Sequence, residues 1–155
     1  MREGFSDKQF WSSLAEGGFN DESKETLRGI VGELVFEARK VIENSYSPYS
    51  KFRVASCVFT DAGKFWGVNV ENSSYGLTMC AERNAIFSAV TAGAKEVYAV
   101  FIFTDGVVAS PCGACRQVIY EFGDSAVVIS VALNSSQDFK FWKIKELLPQ
   151  GFRLK

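Results

Sequence analysis

Pro111-Cys112-Gly113-Ala114-Cys115-Arg116-Gln117, read together with the upstream stretch Cys80-Ala81-Glu82-Arg83, decides what kind of chain this is. Cys112 and Cys115 stand three residues apart at the start of a predicted helix, so their thiols project toward one point, and Cys80 supplies a third. A helix N-terminus and the cations of Arg83 and Arg116 favour negative charge, so all three thiols are expected to ionise more easily than in free solution. Three thiolates suit one zinc ion per chain. They leave a fourth tetrahedral position open to water, whose acidity zinc raises toward neutral pH. Glu82, two residues beyond the first ligand, can then reach both that water and a substrate ring nitrogen as a proton carrier.

Working outward, each cysteine stretch opens a helix that follows a strand. Pro111 is placed to begin a helix that runs to Phe122 and stops at Gly123; residues Cys80 to Ala92 form another, closed by Gly93. Between them Val97 to Phe103 is almost wholly apolar and rich in strand formers, and Val127 to Leu133 repeats the pattern. Upstream, Phe52 to Thr60 and Phe65 to Val70 flank an Asp61-Ala62-Gly63-Lys64 turn, a hairpin. Leu27, Ile30, Val31, Leu34, Ala38, Val41 and Ile42 recur at helical spacing after a polar connector at Phe19 to Thr26, and this helix should end near Asn44, before Pro48. Ser6 to Glu16 reads as a short helix capped by Ser6 or Asp7 and stopped at Gly17-Gly18, or as a partly ordered extension. Phe139 to Trp142 is a short edge strand and Ile144 to Leu148 a last helical turn. The order strand, helix, strand, helix, strand gives an α/β fold with parallel pairing, made mixed by the hairpin. In such sheets the ligand crevice lies beyond the carboxyl ends of the strands, where both cysteine stretches sit.

With 155 residues the chain is about one domain, read as an N-terminal extension at 1–25 and a catalytic domain at 26–155. A formal charge of −1 offers no electrostatic reason for nucleic-acid or membrane binding, which disfavours an RNA- or DNA-editing enzyme. The first residues lack the apolar run of a signal peptide, no stretch reaches the length of a membrane span, and the Cys-x-x-Cys spacing favours metal in a reducing compartment, cytoplasmic or nuclear. Two rival readings of the cysteines are a redox dithiol, opposed by Cys80 and Glu82, and a structural zinc site closed by Cys57. Cys57 sits in an apolar strand, where core packing is the ordinary role.

Tyr46-Ser47-Pro48-Tyr49-Ser50-Lys51-Phe52, Asn69-Val70-Glu71-Asn72, Cys80-Ala81-Glu82-Arg83 and the 111–117 run follow one another in the order found in the small, homotetrameric cytidine deaminases, which the chain resembles over roughly residues 28 to 152. With no histidine in the chain, the metal site is of the three-cysteine type. The resemblance implies a three-layer α/β/α sandwich with a mixed sheet of about five strands. It implies hydrolytic deamination of cytidine and 2′-deoxycytidine to uridine and 2′-deoxyuridine with release of ammonia, in pyrimidine salvage. It places Phe52 on the face of the cytosine ring, Asn69 and Glu71 at the ribose hydroxyls, Ala81 against the substrate, and Tyr75 and Phe152 in a neighbouring subunit's site. Arg83 and Arg116 would hydrogen-bond the sulfurs. Ala55 departs from the glycine common in the family. Alternatives in other classes are a blasticidin-type aminohydrolase, opposed by Asn69 with Glu71, and a non-catalytic zinc module.

Overall fold

The apolar run at 97–103 forms the middle strand, β3 (Val97–Thr104), in a computed structural model that describes residues 8–134 and 139–154. The other strands are β1 (Val54–Thr60), β2 (Gly63–Val68), β4 (Val127–Ala132) and β5 (Phe139–Lys143), in the spatial order β2-β1-β3-β4-β5. The mixed five-stranded sheet is as expected. Its directly parallel pair is β3 with β4; β1 is antiparallel to both β2 and β3, and β5 to β4. β1 enters between β2 and β3 because its side chains are buried on both faces, whereas β2 is half-buried throughout and takes the edge.

Alternation along the strands divides the core in two. Cys57, Phe59, Phe101, Phe103, Ile129 and Val131 pack with α1 (Lys8–Gly17) and α2 (Asp21–Val41). Val58, Val100, Ile102 and Val128 pack with α3 (Ala81–Thr91), α4 (Gly113–Phe122) and α5 (Ile144–Leu147). These are the three layers. Among the described residues no helix is long and apolar enough to cross a membrane.

The predicted N-terminal helix is present as α1, although its expected caps at Ser6 and Asp7 lie outside the described residues. It is part of the core: Trp11 and Leu14 are each 1% exposed, and the Trp11 ring lies 5.5 Å from Phe59 and 5.9 Å from Phe101. Several element boundaries differ from expectation by one or two residues, as where β1 begins at Val54 and β2 ends at Val68, and others differ for an identifiable physical reason. The connector before α2 is itself helical from Asp21, because the Asn20 side chain accepts a hydrogen bond from the Ser23 amide at 2.8 Å and Asp21 and Glu22 suit the positive end of the dipole. The hairpin turn is tighter than the four residues expected, since Gly63 adopts φ +114° and already belongs to β2. Pro111 stands just before α4 and does not open it; the cap is Cys112, whose sulfur accepts from the Cys115 amide at 3.5 Å.

Candidate active site

Both cysteine stretches arrive at one end of the sheet on the α3/α4 side. Cys80 caps α3 and Cys112 caps α4, so two helix N-termini face each other and their unpaired amides favour anionic sulfur. The sulfur atoms of Cys80, Cys112 and Cys115 all lie within 4.8 Å of one another, and the Cys80 and Cys112 sulfurs are 3.7 Å apart. A tetrahedral zinc site with bonds of about 2.3 Å requires sulfur separations of about 3.8 Å. The donor set therefore fits zinc in chemistry and spacing. Cys57 is fully buried in the other core, packed with α1 and α2, and belongs to no such cluster among the described residues.

Charge in the cluster concentrates on Cys80. The Cys115 thiol hydrogen-bonds to it, Arg83 and Cys112 add to this, and its pKa falls to about 5 against the cost of burial. Cys115 moves the other way, upward, because its proton is held by the Cys80 sulfur and the group is buried. Easy ionisation of all three thiols thus fails for Cys115 in the metal-free chain: thiolates that close cannot all ionise without a cation. Arg83 donates from Nη2 to the Cys80 sulfur at 3.6 Å and to the Thr78 carbonyl at 3.4 Å. Arg116 does not bond the sulfurs. Its guanidinium donates to the Pro111 carbonyl at 2.8 Å, the Leu147 carbonyl at 3.0 Å and the Ser110 hydroxyl at 3.3 Å, tying the approach to Cys112 to α5.

Glu82 lies in the first turn of α3 and is 5% exposed. Burial pushes its carboxyl up to about 7, with the Cys80 charge adding to the rise. A carboxyl so placed gains and loses a proton near neutrality. Ala81, beside it, is fully buried.

Phe52 is half-buried, and a β-carbon at Gly106 would lie 3.4 Å from its ring. Its backbone is fixed by Asn69, whose Nδ2 donates to the Phe52 carbonyl at 2.8 Å while its Oδ1 accepts from the Val54 amide at 2.9 Å and the Ser45 hydroxyl at 2.5 Å. Glu71 accepts from the amides of Tyr49 and Ser50 at 2.9 and 3.2 Å and from the Ser50 hydroxyl, which draws its pKa down. Both side chains therefore hold the 49–54 loop in place. Ser45 and Ser50 were not singled out by sequence; the signal was the serine-rich run beside Pro48, whose hydroxyls need partners once folded. Tyr75 and Phe152 are 65% and 67% exposed, and Tyr75 touches Tyr49 with ring centroids 6.3 Å apart. The Phe152 carbonyl accepts from Gln117 at 3.1 Å, and Arg153 pairs with Asp124 at 2.7 Å, pinning the C-terminal stretch along α4.

Comparison with known proteins places this geometry. A family model described as the cytidine and deoxycytidylate deaminase zinc-binding region matches residues 32–131. A cytidine deaminase of Sporosarcina psychrophila is 42% identical over 125 residues, spanning 79% of this chain and 90% of that one. One from Mycoplasma genitalium is 36% identical over 122 residues, 77% and 93% of the two chains. A crystal structure of cytidine deaminase from Burkholderia pseudomallei superposes with a TM-score of 0.68 at 38% identity, covering 78% of this chain and 98% of that one.

Proposed function

The chain belongs to the cytidine and deoxycytidylate deaminase family, and from that premise we propose that it is a zinc-dependent enzyme that hydrolyses cytidine, and 2′-deoxycytidine, to the corresponding uridine with release of ammonia. The observation that carries this reading is the meeting of three sulfurs at zinc spacing with a buried carboxyl in the first turn of α3. Cys80, Cys112 and Cys115 would hold the metal, which when bound supplies the Lewis acidity that makes water a nucleophile near neutral pH.

Glu82 accepts a proton from the water that attacks C4 and delivers it to N3, so that the ring loses its aromatic character at the reacting carbon. The same carboxyl carries a second proton to the departing amine, and the carbonyl of the product forms as ammonia leaves. Arg83 offsets the negative charge of the sulfur cluster. Phe52 offers its ring face to the pyrimidine. Asn69 retains one amide hydrogen and Glu71 retains lone pairs beyond their loop contacts, capacity enough for ribose hydroxyls. Ala81 would lie against the substrate beside Glu82. Arg116 orders the Cys112 turn through backbone carbonyls.

The same reading extends to assembly and cellular role. Tyr75 and Phe152 stand exposed on ordered segments, which supports a homotetramer whose sites are completed across interfaces. Free thiols at a metal-ligating spacing support a cytoplasmic location, and hydrolysis of a free cytosine nucleoside to its uracil counterpart would serve pyrimidine salvage. A structural zinc module is not favoured, because Cys57 lies in the other core.

The test is conversion of cytidine by purified protein with zinc quantified, beside Glu82→Ala. Turnover in the parent and a loss of at least about a thousandfold in the variant at unchanged zinc content is the expected result. Zinc without turnover on any cytosine nucleoside would sink the proposal.

A further inference from the structure

The turn that carries Cys80 and Glu82 is fastened to the sheet at two points, one on each side. Before it, Met79 and Val70 exchange both backbone hydrogen bonds at 2.9 Å, which locks the residue preceding Cys80 onto the continuation of β2. After it, the Asn84 side chain donates to the Val68 carbonyl at 2.7 Å. Val68 is the last residue of the edge strand β2, so its carbonyl has no further strand to bond. Between these fastenings α3 rests directly on backbone. A β-carbon at Gly67 would fall 2.4 Å from the Ala85 nitrogen, 2.6 Å from the Ala81 oxygen and 2.9 Å from the Asn84 carbonyl carbon. Only glycine permits this approach.

We propose that Asn84 is a positioning residue for the metal ligand Cys80 and the proton carrier Glu82, holding the first turn of α3 at a fixed height above β2 with Gly67 as its seat. The inference rests on the reading of Cys80 and Glu82 given above. Its geometry is specific to that turn. The Asn84 amide itself bonds the Cys80 carbonyl at 3.2 Å, so the residue that grips the sheet also grips the ligand's backbone. Cys112 and Cys115 belong to α4, which packs on α3 and is positioned separately, through Arg116. A small rise or tilt of the α3 turn therefore moves Cys80 and Glu82 relative to the other two sulfurs, and a four-coordinate site tolerates little such movement. The Asn84 side chain is spent on the Val68 carbonyl, so its proposed role is indirect. It acts through the residues whose places it sets.

The experiment compares the parent enzyme with Asn84→Ala, and uses Cys80→Ala to test the underlying reading. Three quantities are measured: metal affinity by chelator competition, the visible spectrum of the cobalt-substituted protein, and kcat and KM for cytidine. Asn84→Ala is expected to lose about tenfold or more in metal affinity and in kcat, to shift the cobalt bands, and to leave KM within about twofold. A melting temperature lowered with metal affinity, cobalt spectrum and kcat all unchanged would overturn the proposal, since the bond would then be structural only. If Asn84→Ala does not fold, Asn84→Asp, which keeps the volume but replaces the donor with an acceptor, takes the same measurements and the same criteria. Parent-like metal binding and turnover in Cys80→Ala would refute the site reading itself, whatever Asn84→Ala does.

Discussion

Glu82 and Cys80 are neighbours on the chain and opposites in protonation. An unfolded glutamate ionises near 4.5 and Glu82 in the folded, metal-free chain near 7, so between those values the folded state holds a proton that the unfolded state has lost. Stability from this group is complete below pH 4.5 and falls as pH rises through 7, by about 3 kcal/mol in all. Cys80 acts in the reverse sense: its thiol falls from 9.0 to about 5 on folding, so it adds stability as pH rises between those values. Between about pH 5 and 7 the two contributions oppose each other in the parent, whereas above 7 that of Cys80 alone persists, and the difference between parent and variant isolates the carboxyl. Metal-free Glu82→Gln should gain on the parent progressively from pH 5 to pH 8 in urea unfolding; a pH-independent difference would refute the burial argument. Cys80 should also be alkylated by limiting iodoacetamide at pH 6.5 while Cys57, fully buried and with its thiol pushed up by that burial, stays intact on peptide mapping.

At the scale of elements, α1 is the part of the molecule whose importance packing reveals best. Trp11 sits against Phe59 and Phe101, so Trp11→Ala should cost about 3–5 kcal/mol in denaturant unfolding while kcat at low temperature is unchanged, because α1 lies on the face away from the sulfurs. A kcat loss matching the stability loss would contradict that separation. The same helix shows what a linear reading reaches. Phe10, Trp11 and Leu14 mark its apolar face, but whether it docks depends on Phe59 and Phe101, remote in sequence. Asn20 is a cap written in plain sight, hidden by the polarity of the residues after it, which serve a helix start as well as a loop. The hairpin, both cysteine-bearing helices and the central strands were legible because each carries its own periodicity and its own stop. Arg116 was misread because charge beside thiols suggests a partner, and only the fold shows that three oxygens reach it first. Asn84 had no signal at all: its bond is to a backbone carbonyl at the end of a strand separated from it by a loop.

For the whole molecule the decisive question is what surrounds the single chain. Sedimentation should give four times the 17.2 kDa chain mass if the homotetramer forms, and Phe152→Ala should raise KM for cytidine more than it lowers kcat. A monomer with parent-like kinetics would refute the shared-site proposal. The sheet, meanwhile, is a partition. Side chains of one parity lean on α1 and α2, those of the other on the helices that bear the sulfurs and the carboxyl. Inherited change meets two different judges on either side of it. A substitution on the first side alters how many molecules survive to work, one on the second can alter both that number and what each survivor does, and a lineage of such chains can drift in durability on the first side without relearning its chemistry.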